Sequence, residues 1–252
     1  MDEFSLATLA LFGAIIALAG LVHGTLGMGF PVVATPLLAL LVDVRTAILL
    51  TLLPTVTVNV VSIVKGGNWG ESVLRFWPLA PWVLAGSVVG SEALVTLDPA
   101  PFKLVLAGLV LLYLAVSGSK SFGMAWVGHH RRTSMALFGL VAGLAAGTTN
   151  VMVPILIIYT LELGLARTAM VQVFNLCFLC GKLSQIAVFA VAGLLTAPLL
   201  VGTTPLALVA VLALALGMML RNRIPVPVYL RVVKGLLLVL ALVLVWQYAS
   251  GA

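Results

Sequence analysis

Two of the ten apolar runs in this 252-residue chain are too short to cross a bilayer, and each follows a Gly/Thr-rich break. The runs are roughly 5–23, 31–42, 46–64, 76–97 and 102–117, then 134–148, 151–161, 168–191, 198–220 and 228–248. A spanning helix needs about 20 residues, whereas the second and seventh runs have 12 and 11. At 1.5 Å per residue they reach roughly half-way through the hydrocarbon core. Runs one and two, and six and seven, are therefore expected to form helical hairpins or broken helices. Their irregular tips belong inside the protein, where unpaired backbone is tolerated.

Composition supports the membrane reading. The chain is 63% hydrophobic and 8% charged, against about 25% charged in a soluble domain. A single all-α integral membrane domain over residues 1–252 accounts for the length. The net charge of +6 does not point to nucleic acid, because the basic residues fall in loops between apolar spans. The start, Met1-Asp2-Glu3, is acidic where a cleavable signal would be basic. Cys177 and Cys180 are the only cysteines; small buried side chains explain them more simply than a redox pair or metal site.

The breaks repeat. Gly24, Thr25 and Pro31 recur 123 residues later as Gly147, Thr148 and Pro154. Arg45/Arg167 and Ala47/Ala169 align at an offset of 122, and the Pro99/Pro101 and Pro225/Pro227 turns at 126. Each half holds five elements, an odd number, so the second half enters from the opposite face. The expected architecture is two inverted repeats, about 5–117 and 134–249, joined by a cytoplasmic loop 118–133. Their short re-entrant helices would meet near mid-membrane. Such symmetry, with a broken segment in each half, is a pointer to a secondary transporter's binding site.

Charge sets the orientation. With loop 118–133 inside, ten basic residues lie on the cytoplasmic side: Lys65, Arg75, Lys120, Arg131, Arg132, Arg167, Arg221, Arg223, Arg231 and Lys234. Arg45 and Lys103 lie outside, and Lys182 falls within a span. That bias places both termini outside a cell inner membrane. His129 and His130 belong to the basic loop, where anchoring is a better account than metal binding. Gly20/Gly24, Gly86/Gly90 and Gly139/Gly143/Gly147 are spaced for close helix approach. The glycines 24–29 lack a phosphate-loop spacing and a following Lys-Ser/Thr.

Two runs carry polar stripes. Gln172, Asn175, Lys182 and Gln185 share one face of the eighth run, and Thr51, Thr55, Asn59 and Ser62 share one face of the third. Interhelical hydrogen bonding explains such stripes as readily as a ligand does. Lys182 differs, since a lysine at a span centre costs roughly 2.5 kcal/mol or more. It is the candidate cation for an anionic substrate, unless Glu92 or Glu162 pairs with it; these are also expected to pair with Arg45 or Lys103, and with Arg167. Helix N-termini at the two tips would favour the same anion. Gly27, Met28 and Gly29 allow close backbone approach at the first tip, and Thr25, Thr148, Thr149 and Asn150 add donors. His23, which titrates near neutral pH, is a candidate carrier of a coupling proton, with a hydrogen-bonded packing role as the alternative.

The segments Gly27-Met28-Gly29-Phe30, Asp43-x-Arg45-x-Ala47 and Asn59 resemble the first repeat of the sulfite exporter TauE/SafE (TSUP) family. Gly147-Thr148-Thr149-Asn150-Val151, Pro154, Asn175, Gly181-Lys182 and Gln185 resemble its second repeat. Met152-Val153 departs from that pattern with a bulkier tip. The resemblance implies a permease, with export as the expected direction, for sulfite, thiosulfate, organosulfonates or a related small acid. An anion channel is the alternative from the residues alone. An intramembrane enzyme would need paired acids, a metal constellation or a Ser-His arrangement, and the sequence offers none. No cofactor is implied; the expected partners are the small anion, the bilayer and a coupling proton or cation.

Overall fold

The computed structural model describes residues 5–67, 69–221 and 226–250, and the described residues are helical with no strand. Met1, Asp2, Glu3, Arg223 and Pro225 lie outside the described residues. The long helices are α1 (Leu6–Leu26), α3 (Val44–Gly66), α5 (Ala80–Thr96), α6 (Phe102–Val116), α8 (Arg131–Thr149), α10 (Arg167–Val191), α11 (Ala197–Leu220) and α12 (Val226–Ser250). Between them lie the short α2 (Phe30–Ala39) and α9 (Val153–Glu162), together with one-turn helices α4 (Val73–Phe76) and α7 (Trp126–His129). Six helical segments are long and apolar enough to cross a bilayer, so the protein is a multi-pass membrane protein. Loop 118–133 is shorter than its sequence suggests, because Arg131 and Arg132 already form the first turn of α8.

Burial separates centre from rim. In α10 and α3, 67% and 56% of the spanning window is buried, against 28% in α11 and α12. The rim helices turn Leu208, Leu212 and Leu216, and likewise Val239, Leu242 and Trp246, outward at helical spacing. In lipid such faces need no cover, since acyl chains solvate them as well as another helix would. The core is therefore built around α3 and α10. They run antiparallel, since Gln172 near the start of α10 donates to Ile63 O and Gly67 O at the end of α3.

Both breaks are built alike. Helix α1 ends on Gly27 with φ 83°, and α8 ends on Asn150 with φ 65°, left-handed caps 123 residues apart. The cap N–H returns to His23 O in one and Ala146 O in the other. Among the described residues Asn150 is the one non-glycine with positive φ, a conformation asparagine tolerates better than most. Each cap leads into a ten-residue helix with proline in its first turn, α2 and α9.

The sequence places Gly24, Thr25, Gly147 and Thr148 in the breaks; the structure corrects this and keeps all four inside helices. The glycines are crossing points instead. A Cβ at Gly24 would stand 2.8 Å from Gly217 Cα of α11, and one at Gly90 of α5 would stand 3.1 Å from Gly147 Cα of α8. Gly20, Gly86 and Gly143 make the same backbone-to-backbone approaches along the same crossings. Without a hydrophobic driving force between helices in lipid, this close packing holds α1 to α11 and α5 to α8.

The substitutions Gly24→Ala and Gly147→Ala should each destabilise the detergent-solubilised protein by about 1–3 kcal/mol, the usual cost of overpacking. Gly13→Ala and Gly108→Ala meet nothing within 4 Å and should be neutral or stabilising. Thermal unfolding of the four variants checks the pair of expectations.

Candidate functional site

A stripe of side chains on α10 meets the broken backbone at three levels. Gln172 caps the end of α3. One turn on, Asn175 Nδ2 donates to Gly27 O at 3.2 Å and so closes the α1 break. Near the other end, Gln185 Nε2 donates to Ala146 O at 2.9 Å in the last turn of α8. Gly67 O and Gly27 O lie past the last helical turn and, without water, must be satisfied by side chains; Ala146 O already accepts from the Asn150 cap N–H, and Gln185 adds a second donor to it and reaches Gly147 O at 3.4 Å. Three of the four stripe residues therefore serve the helix ends.

Lys182 is the remaining member. It is 1% exposed and donates from Nζ to Gln185 Oε1 at 2.6 Å. Among the described residues no carboxylate pairs with it. Neither expected acid is available: Glu92 is exposed, and Glu162 accepts from Met124 N at 2.7 Å, Ser121 Oγ at 2.9 Å and Phe122 N. Nor does Arg45 pair with an acid in these contacts; it caps α5 through Leu94 O and Leu97 O at 2.8 and 2.9 Å.

Across from α10, the stripe on α3 is fully buried at Thr51, Thr55 and Asn59. Thr51 donates to its own helix. Thr55 Oγ1 and both amide atoms of Asn59 have no hydrogen-bond partner. With Gln172 opposite Gly66, the antiparallel register sets Thr55 level with Leu183 and Asn59 level with Leu179, so the pair brackets the level of Lys182. A second unpartnered hydroxyl, Ser91 Oγ of α5, is also buried. It escaped the sequence reading because Ser87 and Ser91 sit beside the crossing glycines and read as small packing residues.

The sequence expectation of one site, formed where the two tips meet beside the lysine, is corrected by these contacts. The first tip docks at Asn175 and Val171 of α10, the second near Gly181 and Gln185, with Met152 covering Gly181. Ten residues of helix separate those levels, about 15 Å. The cause is helix length: α1 and α8 run 21 and 19 residues before they break, close to a full crossing.

Several expected donors are also spent. Thr25, Thr148 and Thr149 donate to Val22 O, Leu144 O and Ala145 O of their own helices. Thr148 also lines an apolar crevice between α6 and α8. Both Asn150 amide hydrogens are engaged, by Thr35 Oγ1 at 3.1 Å and Thr51 Oγ1 at 3.3 Å. At the first tip, Gly29 caps α2 with φ 102°. Gly27 and Met28 line different cavities, of about 220 and 200 Å³. Lys65 and Arg221 border the first of these, and Arg167 and Lys234 the second. His23 is buried between the tip and α3, accepting from Phe30 N at 3.3 Å and meeting Ser62 Oγ at 3.0 Å.

A buried polar seam through the centre of a bundle of broken helices is an arrangement expected of a membrane transporter. The comparison with known families agrees: the family described as Sulfite exporter TauE/SafE matches residues 12–244, and the chain belongs to it. No curated protein and no solved structure matches the chain.

At the Lys65 end, the Glu162 cradle ties the inter-repeat loop to α9. The Phe122 amide foremost, with Ser121, Met124 and Gly123, holds this carboxyl below its ordinary range. A depressed pKa means the contact is complete above the ordinary value near 4.5 and is lost as pH falls through the lowered one. Hydrogen exchange of the amides of residues 122–124 should therefore stay slow from neutrality to pH 4.5 and rise only below it. Glu162→Gln should make it fast at neutral pH.

Proposed function

We propose that the protein is a secondary transporter of small sulfur-containing anions, such as sulfite, thiosulfate or organosulfonates, exported by alternating access. The carrying observation is Lys182, a buried lysine with no acidic partner among the described residues, level with the unpartnered Asn59 amide and Thr55 hydroxyl. A buried charge needs a counter-charge and hydrogen bonds. An oxyanion between α3 and α10 would supply the first to Lys182 and accept the second from Asn59 Nδ2 and Thr55 Oγ1. Gln185 holds the ammonium in place while tying it to α8.

The alternating-access reading draws on the likeness of the two halves. Their breaks share caps, lengths and an offset of 123 residues. The α1–α11 crossing at Gly24 and Gly217 has its counterpart in the α8–α5 crossing at Gly147 and Gly90. In an inverted repeat the two tips become opposite gates of one seam. The seam is closed here, with Asn59 and Lys182 at 0% and 1% exposure, as expected of a carrier between its open states. The basic ends of α3, α10 and α11 face the cytoplasm of an inner membrane, and both termini face outward. Cysteines placed singly at Ser119 and Ser250 should then react oppositely with an impermeant thiol reagent in intact cells.

The decisive variants separate binding from folding. Lys182→Met should abolish sulfite and thiosulfate binding in the seam between α3 and α10 while the protein still inserts and folds. Asn59→Leu removes a buried amide with neither atom paired, a burden of about 1–3 kcal/mol. It should therefore raise the unfolding temperature and yet weaken binding. Equal anion affinity in wild type and Lys182→Met would overturn this site, and an Asn59→Leu protein that is both stabler and fully active would remove Asn59 from it.

A further inference from the structure

The first tip holds a buried imidazole between a backbone donor and a cavity lined with positive charge. His23 Nδ1 lies 3.3 Å from Phe30 N, and a backbone N–H can only donate. The ring proton therefore sits on Nε2 and is donated to Ser62 Oγ at 3.0 Å. In this neutral tautomer both ring nitrogens are satisfied, and α2 is tied through its first N–H to α1.

We infer that this tip is a joint proton–anion site, in which His23 takes up the coupling proton when a small oxyanion enters the cavity between Lys65 and Arg221. The inference rests on the anion-transporter reading and deepens it. A proton from the aqueous phase at that end binds the Nδ1 lone pair; no bond in the anion changes. The contact with Phe30 N–H becomes donor against donor, so the tie between α1 and α2 is released. The acceptor for the new Nδ1–H would be Asn175 Oδ1. Asn175 is fully buried, its side chain approaches the ring, its Nδ2 holds Gly27 O, and its Oδ1 has no hydrogen-bond partner.

The surrounding charges make the proton depend on the anion. Lys65 of α3 and Arg221 of α11 line the cavity beside Gly24, Gly27 and Ser62, and none of its described lining residues is acidic. Helix α10 presents the uncharged Gln172 and Asn175 at this level, and α2 presents backbone. Arg167 and Lys234, also basic, lie in the neighbouring cavity that Met28 borders. All four cations oppose a further positive charge on His23. An oxyanion of sulfite size in the roughly 220 Å³ cavity offsets them. Linkage is reciprocal, so the anion favours the proton by the factor with which the proton favours the anion.

The test uses the purified full-length protein in weakly buffered detergent solution, with thiosulfate as probe because it carries no proton of its own near neutral pH. A pH indicator should report about one proton taken up per anion bound, and affinity should rise up to tenfold per unit fall in pH, the slope for one linked proton. His23→Gln, which keeps a donor and an acceptor, should bind thiosulfate with one pH-independent affinity and take up no proton. Lys65→Gln with Arg221→Gln leaves every buried hydrogen bond in place, and it should weaken binding tenfold or more. The inference is overturned if wild type binds thiosulfate without proton uptake, if uptake survives in His23→Gln, or if the double variant binds with unchanged affinity. In each of those results the transporter reading stands. Wild type that binds no oxyanion at any pH removes both.

Discussion

A bilayer leaves no water to satisfy a broken helix, and that constraint organises this protein around α10. Each interruption exposes carbonyls and N–H groups that must find a partner inside the bundle. Helix α10 supplies amides at the matching levels: Gln172 for the end of α3, Asn175 for the end of α1 and Gln185 for the end of α8. Both α2 and α9 then pack against the centre of the bundle. The high burial of α10 follows from this role as much as from its apolar positions.

Once the helix ends are satisfied, little polar capacity at mid-span is left over. After the caps are subtracted, Lys182, Asn59 and Thr55 remain at mid-span on α3 and α10, while Asn175 Oδ1 and Gln172 Oε1 remain nearer the first tip. Buried groups of that kind lower stability, and their retention needs a cause outside folding. Subtraction therefore narrows a candidate site more sharply than collecting every polar residue in a span. The same reasoning isolates His23, whose neutral hydrogen bonds are complete but whose protonated form would need a different set.

The glycine crossings set how far the two halves can move apart. Close backbone approach at Gly24–Gly217 and Gly90–Gly147 binds α1 to α11 and α8 to α5 as two tight pairs. Contacts at the tips are made instead by side-chain hydrogen bonds, from Asn175 at the first and from Asn150 and Gln185 at the second.

The chain's order already shows the helical membrane class and the two short helices, though not where α1 ends or where α8 begins. Hydrophobic length and the positions of Gly, Pro and charge fix these locally. The repeated Gly/Thr/Pro pattern likewise shows that the breaks are alike. Only the tertiary structure decided which polar residue does what. Asn175 and Lys182 look equivalent as members of one stripe, but one faces an unpaired carbonyl and the other faces a glutamine and an unpartnered seam. That difference depends on what packs opposite each turn of α10, and periodicity along one helix contains no information about the partner it will meet.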